Sequence, residues 1–345
     1  MKYRLYTTSK KAWTAMIAAL KKAEKSIYIE MYIFLSDTAA SHDFFSLLKA
    51  KARAGVKVII VADAFGSMDL DKPALAELRQ AGAELLFFSH WLRRTHRKIA
   101  IIDKKVAFLG GVNIEKKIIK WRDLQIRLEG KKTVRAILRS FARTYKMCGG
   151  RDEEINSYYK KSLLYKTRSL ILESLPGHGN YSMIDYYKAK IIGGAKSIKI
   201  VTPYFIPPRW MQALFDDACR RGVEIEIIIP QNTDLPFIDK INYSYISALL
   251  PMGIKFYASR KMNHAKILIV DDNEAVVGSQ NIDTLSFGRN FEVGVFSRQK
   301  EIVSDLNKIF EQWKKQAKSW QKPKKRLNLF DRLIIIIFKL FISVI

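Results

Sequence analysis

Two stretches of this chain carry one pattern. His96-Arg97-Lys98 leads to Asp103, and His264-Ala265-Lys266 leads to Asp271, with identical spacing in both. Asn113 and Asn281 follow their His at the same distance, and Asp123 and Glu292 at nearly the same distance. Other landmarks keep a similar offset. Lys25-Ser26-Ile27 is matched by Lys196-Ser197-Ile198, Gly55-Val56 by Gly222-Val223, and Gly82 by Gly253. Independent landmarks whose offsets agree to within about four residues mark a duplication, and its period is too long for a solenoid. The chain therefore has to fold as two copies of one domain.

Each copy alternates strand and helix signals. In the first, Lys10–Ala23 has helical spacing, and Ser26–Phe34 alternates with Ile27, Ile29, Met31 and Ile33 on one face. Gly55 stops a second helix, Val56–Ala62 reads as a buried strand, Pro73–Gln80 as a helix and Glu84–Phe88 as a strand. That order predicts an α/β fold, each copy a mixed sheet flanked by helices. With 345 residues there is chain enough for two cores of ordinary size. The expected boundaries are 1–150 for the first domain, 151–167 for a polar linker, 168–321 for the second domain and 322–345 for a tail.

Charge and ends narrow the setting. A formal net charge of +27 suits an anionic partner, whether phospholipid headgroups, an acidic membrane surface or nucleic acid. Cys148 and Cys219 lie far apart without metal-ligand spacing, which reads as free thiols in a reducing compartment. The opening MKYRLYTTSKKAW has no apolar signal core, so neither a secretory peptide nor a leading membrane span is expected. After Trp320 a basic cluster (Lys322, Lys324, Lys325, Arg326) precedes the almost wholly apolar Leu333–Ile345, too short to span a bilayer. Counted from Leu327, the polar residues fall near one helical stripe. This predicts an interfacial helix in anionic lipid; a last core helix or an oligomer contact is the alternative.

The repeated pattern also predicts chemistry. On a strand, His264 and Lys266 share a face while Asp271 points the other way, and His96, Lys98 and Asp103 behave identically. Within this catalytic motif, parity gives the Asp the task of tying the turn that follows. An apolar strand returns from each turn to Gly110-Gly111-Val112-Asn113 or Gly278-Ser279-Gln280-Asn281, small residues that let backbone N–H groups approach an anion. Two half-sites would face one phosphodiester, with Lys98, Lys266, Asn113 and Asn281 on its non-bridging oxygens. One neutral His can attack phosphorus while the other, protonated, gives its proton to the departing alcohol. Each imidazole needs a carboxylate on its far nitrogen, and Asp123 and Glu292 are the candidates. Glu30, on an otherwise apolar or aromatic strand and sharing a face with Tyr28 and Tyr32, reads either as site lining or as a buried structural hydrogen bond, and Ser279 is a further site-lining candidate. The scheme needs no metal and no cofactor.

With these motifs the chain resembles the phospholipase D superfamily over about residues 3 to 320, and within it the bacterial cardiolipin synthases. Ile29-Glu30-Met31-Tyr32-Ile33-Phe34, Trp121-Arg122-Asp123, Thr202-Pro203-Tyr204-Phe205 and Gly278–Asp283 continuing to Asn290-Phe291-Glu292 carry the narrower likeness. The resemblance implies one active site at the pseudo-twofold interface of two tandem phospholipase D-like domains. It implies transfer of a phosphatidyl group through a phosphohistidine, from phosphatidylglycerol to a glycerol headgroup on a second phospholipid. Family analogy favours His96 as nucleophile, although the symmetry of the motif leaves both assignments open. A chain of two copies can complete a site as a monomer, at the cytoplasmic face of the cell membrane. Two departures are visible: Leu285-Ser286 stands where many members carry Arg-Ser, and the two leading spans of many members have no counterpart. Water as acceptor gives a hydrolase. Nucleic acid as substrate gives a nuclease, which the apolar tail argues against; a non-catalytic membrane scaffold would have no use for the duplicated motif.

Removing Leu327–Ile345 is expected to weaken binding to anionic vesicles while leaving the fold intact. Co-sedimentation of the truncated and full chains with phosphatidylglycerol vesicles, alongside their thermal unfolding, checks this.

Overall fold

The duplicated pattern is built into two sheets. The structure, a computed structural model, describes residues 2–164 and 171–320. It forms two compact units that do not coincide with the halves of the sequence. The first comprises Met1–Ser182 together with Val277–Gln280 and Arg289–Phe296; the remainder forms the second. The predicted basic-apolar tail lies outside the described residues.

In the first unit the elements run β1 (Lys2–Thr8), α1 (Ser9–Lys21), β2 (Ser26–Met31), α2 (Phe44–Arg53), β3 (Lys57–Asp63), α3 (Lys72–Gln80), β4 (Glu84–Phe88), β5 (Lys98–Ile102), β6 (Val106–Gly110), β7 (Arg122–Glu129), α4 (Lys131–Met147), α5 (Glu153–Leu164) and β8 (Ile171–Ser174). The first seven strands make one sheet in the order β1-β7-β6-β5-β2-β3-β4. It is mixed, because β2, β3 and β4 pair in parallel and the other neighbours are antiparallel. Strand β2 is buried along its whole length. Ile27, Ile29 and Met31 pack with Trp13, Met16 and Leu20 of α1 and Phe44 and Leu48 of α2. On the other face Tyr28 stacks on Phe141 of α4 with ring centroids 5.7 Å apart. The helices start where acceptors for free backbone N–H groups occur: Thr8, Asp43 and Asp71 cap α1, α2 and α3.

The rest of the chain repeats the plan with α6 (Ser182–Gly193), β9 (Ser197–Val201), β10 (Phe205–Ile206), α7 (Arg209–Arg220), β11 (Glu224–Pro230), α8 (Pro236–Leu249), β12 (Lys255–Ser259), β13 (Ile267–Val270), β14 (Glu274–Gly278), β15 (Ile282–Asp283), α9 (Thr284–Gly288), β16 (Glu292–Ser297), α10 (Lys300–Lys315) and β17 (Ala317–Ser319), of which β16 lies in the first unit except for Ser297. In the second unit the strand order is β17-β12-β11-β9-β13, part of an eight-stranded sheet. Strands β9, β11 and β12 are parallel, as β2, β3 and β4 are, and β13 lies antiparallel to β9 as β5 does to β2. Strand β14 begins in the second unit and ends in the first, and the first unit pairs β16 with β8 antiparallel.

Three sequence expectations change. Strand β2 stops at Met31 rather than Phe34, because the Ile33 N–H bonds to Asn113 Oδ1 and the Phe34 N–H to the Ser67 hydroxyl, side chains instead of a neighbouring strand. The 151–167 segment, read as linker, is helical over α5, with Asp152 accepting the Ile155 N–H and Ile155 fully buried. Strand β1 has no counterpart in the sequence reading, since a short edge strand with alternating basic residues lacks the apolar run that marks a buried one.

Asp103 and Asp271 stand at the turns as expected, but their carboxylates tie the segments leading into β2 and β9 rather than the turns that follow. Asp103 accepts backbone N–H groups from Glu24, Lys25 and Ser26 at 3.1, 2.8 and 2.9 Å. Asp271 accepts from Ala195, Lys196 and Ser197 at 3.0, 2.8 and 3.0 Å. Each opens a two-residue turn with positive φ at both positions (50° and 53°; 51° and 53°), the geometry of a tight hairpin. Burial raises each carboxyl pKa, but the three N–H donors outweigh it and hold it below the ordinary carboxylate value. A depressed pKa stabilises the fold above the unfolded-state value, and that contribution is lost as pH falls through the folded value. Asp103→Ala is therefore expected to cost about 2 kcal/mol at neutral pH. Denaturant unfolding across pH checks it: the gap to wild type should close in acid.

Candidate active site

His96 sits just before β5 at 8 % exposure, and its orientation is set by backbone. The residue before it, Thr95, bridges to Phe291, and the His96 N–H donates to Phe291 O at 3.0 Å. That register brings the next residue along, Glu292, to the imidazole. His96 Nδ1 lies 3.0 Å from Glu292 Oε1 and 3.2 Å from Oε2. Spacing along the chain groups each carboxylate with the His of its own copy; the structure instead pairs His96 with the carboxylate of the second copy. Ser279, proposed from sequence as lining, donates its hydroxyl to Glu292 Oε2. Its backbone N–H bonds to Val293 O and its Oγ accepts the Val293 N–H, so the donor is fixed.

Glu292 is fully buried. Burial drives its pKa up, yet the His96 charge, the hydrogen bonds from His96 and Ser279 and the charge of Lys98 outweigh this and hold it below the ordinary value. The carboxylate is therefore ionised at neutral pH and accepts a proton-bearing Nδ1, which leaves the lone pair of a neutral imidazole on Nε2.

Around His96 the wall is aromatic and cationic. The Tyr32 ring stands edge-on to the imidazole at 4.8 Å, and Lys98 Nζ lies 4.9 Å from the centre of that same ring. Burial pushes the Tyr32 hydroxyl pKa up to about 12. Lys98 is fully buried and donates to His96 O at 2.5 Å. Gly66 is required here: a Cβ on it would lie 2.3 Å from Tyr32 O and 2.8 Å from the ring. Asn113 is 3 % exposed, and its Oδ1 accepts the Ile33 N–H at 3.3 Å, aiming the amide. Asp123 is fully buried and its Oδ1 accepts its neighbour's N–H, from Leu124, at 2.7 Å. The room left by Gly111 is filled by that carboxylate, since a Cβ there would lie 2.2 Å from Asp123 Oδ1.

Behind His96 lies a buried charge network that sequence reasoning missed. Arg97 points away from the His96 face and is fully buried. It donates to Thr144 Oγ1 at 2.7 Å and to Ser140 Oγ, and lies 3.6 Å from Glu30 Oε1 and 3.7 Å from Glu173 Oε1. Glu30 also accepts the Thr95 hydroxyl at 2.5 Å, and Asp63 accepts the Thr95 N–H at 2.8 Å. Burial raises the Glu30 pKa, countered by Arg97 and Thr95. Of its two sequence readings, the structure gives Glu30 the buried hydrogen-bonding one. The available signal was parity: a charged residue between two face-sharing motif residues has to point inward.

The second unit repeats the local arrangement. His264 is 4 % exposed, and Lys266, 1 % exposed, donates to His264 O at 2.6 Å. Tyr204 stands 6.3 Å from His264, the counterpart of Tyr32, and donates its hydroxyl to Asp234 at 2.6 Å. Ala265 occupies the Arg97 place. Asn281 is 4 % exposed and its N–H donates to Ser286 Oγ at 3.1 Å. Strands β10 and β15 pair in parallel, Phe205 with Ile282, so the Thr202–Ile206 stretch positions the chain that follows Asn281. Among the described residues no cluster of three or more His, Cys, Asp or Glu has metal-binding geometry.

A family profile described as "Cardiolipin synthase, PLD-like domain" matches residues 16–145 and 187–314. The probable cardiolipin synthase YwiE of Bacillus subtilis (strain 168) is 34 % identical over 314 residues, which is 85 % of this chain and 62 % of that protein. The cardiolipin synthase of Clostridium perfringens (strain SM101 / Type A) is 32 % identical over 332 residues, 89 % of this chain and 69 % of its own length. The chain thus spans about two thirds of these relatives. A phosphatidylserine synthase from Haemophilus influenzae Rd KW20 shares the fold with TM-score 0.77 at 15 % identity, covering 99 % of this chain and 93 % of that one.

Ser279→Ala is expected to destabilise the protein by about 1–3 kcal/mol at neutral pH, because a buried carboxylate loses a donor. The folded pKa of Glu292 then rises towards its ordinary value. The acid loss of stability should begin at higher pH than in wild type. Unfolding free energies across acid to neutral pH read both effects.

Proposed function

Because the chain belongs to the phospholipase D-like family of cardiolipin synthases, we propose that it moves a phosphatidyl group between phospholipids through a phosphohistidine on His96. The observation that carries this reading is the buried, ionised Glu292 held 3.0 Å from His96 Nδ1. It fixes the tautomer a nucleophile needs and stabilises the positive charge that develops on the ring.

The reaction then runs in two balanced steps. His96 Nε2 attacks the phosphorus of phosphatidylglycerol as the bond to the headgroup oxygen breaks. His264, in its protonated form, gives that oxygen its proton, and glycerol leaves. In the second step neutral His264 takes the proton from a glycerol hydroxyl of another phosphatidylglycerol. The resulting oxygen attacks phosphorus, the bond to His96 breaks, and the product is cardiolipin. Lys98, Lys266, Asn113 and Asn281 neutralise and hydrogen-bond the non-bridging oxygens. The substrates are membrane lipids, so the work is done at an anionic membrane surface, which the net charge of +27 favours. Among the described residues no helix is long and apolar enough to cross a membrane.

Purified protein with phosphatidylglycerol vesicles, followed by lipid analysis, tests the reading. Cardiolipin with released glycerol is the expected result. Phosphatidic acid as sole product would make the chain a hydrolase, and untouched lipid with degraded DNA would make it a nuclease. His96→Ala and His264→Ala should each abolish turnover, and Glu292→Gln should lower it by about 10²–10⁴-fold. Robust transfer in either His variant would sink the mechanism.

A further inference from the structure

Away from His96, the first unit carries a groove between edge strand β1 and helix α1. Its volume is about 790 Å³, in the range of sites that take small amphiphiles. Five cations line it, Arg4, Lys10, Lys11, Lys22 and Arg127, and no carboxylate does. Among the described residues Arg4, Lys10, Lys11 and Lys22 make no ion pair. Arg4 stands directly opposite Arg127 in the β1–β7 register. Like charges in that relation are destabilising. Arg127 Nη2 reaches Glu129 at 2.8 Å, but its Nε is buried with no hydrogen-bond partner. The floor is different: Leu5, Ala15, Ala18 and Ala19 are apolar. Lys11, Ala15 and Ala18 of α1 and its C-cap Lys22 lie on one stripe, which sets cations about 16 Å apart at the ends of that floor.

Cations round an apolar trough match one chemistry, an anion carried on a hydrocarbon chain. An anion between Arg4 and Arg127 turns their repulsion into attraction, and the alanine floor accepts methylenes. A nucleic acid would leave that floor unused, because bases bind on aromatic faces. We propose that this groove seats one anionic phospholipid, headgroup phosphate on the cations and upper acyl chain on the floor, laying the β1–α1 face on the bilayer. The inference rests on the preceding reading only in taking anionic lipid as the surroundings of the protein.

The test is co-sedimentation of the full chain with phosphatidylcholine vesicles, with and without phosphatidylglycerol. Lys10→Gln/Lys11→Gln should lose about thirtyfold in affinity for the anionic vesicles, from about 1 kcal/mol per cation near such a surface. Lys131→Gln/Lys132→Gln removes the same charge from an exposed site outside the groove and should lose less than about threefold, on the scale of screened long-range charge. Ala18→Trp fills the trough, keeps every charge, and should also weaken binding. Turnover of phosphatidylglycerol in mixed detergent micelles should be unchanged in all three, which certifies their fold. Wild-type affinity in the Lys10/Lys11 variant overturns the proposal, as does equal loss in the Lys131/Lys132 control. Displacement of the vesicles by inorganic phosphate alone, or by a DNA duplex that the Lys10/Lys11 variant no longer binds, also overturns it. Vesicle binding is read without turnover, so a wild type that binds through the groove yet makes no product would fail only the earlier reading.

Discussion

A single buried carboxylate–imidazole pair gives this structure its chemical meaning. Glu292 is an ionised carboxylate with no access to water, and isolated burial of such a charge is prohibitively costly. It persists because His96 and Ser279 bond to it and Lys98 stands near. Removing any of these partners leaves a charge uncompensated, which is the expensive way to break a buried pair. The fold around it is arranged so that this does not happen: Ser279 is locked to Val293 on both sides, and His96 is tied by its own N–H to Phe291.

That pair also explains why the sequence repeat and the compact units part company. Glu292 belongs by duplication to the second copy, yet it folds with the first, together with Val277–Gln280 and Arg289–Phe296. Glu292 opens β16, which pairs antiparallel with β8, so the imidazole receives a carboxylate held on a rigid ladder rather than on a loop. A second asymmetry is chemical. Arg97, with Glu30 and Glu173, backs the His96 segment with buried charge, where Ala265 stands in the other copy. The two motifs match in His, Lys and Asp, and differ in this charged support.

Much of this was legible beforehand, for physical reasons. Strand β4 was readable as Glu84–Phe88 because an apolar run between Gly82 and a polar loop has few alternatives. Parity separated Asp103 and Asp271 from the face that carries His and Lys, because side chains alternate on a strand whatever the fold. Pairing was not legible. Nothing in spacing says that Glu292 serves His96 rather than His264, since that depends on which strands meet. Tyr32 was read as sharing the face of Glu30, and the turn after Met31 instead swings it beside His96. Strand β1 escaped because its partner, β7, lies more than a hundred residues away and its own pattern is short and basic.

The central claim is that His96 carries the phosphatidyl group between donor and acceptor. The most direct measurement is a rapid quench of wild-type protein turning over phosphate-labelled phosphatidylglycerol, followed by peptide mass analysis. The account predicts an acid-labile phosphatidyl adduct on the peptide bearing His96 and none on the peptide bearing His264. An adduct on His264, or transfer at full rate with no covalent species at either residue, would contradict it.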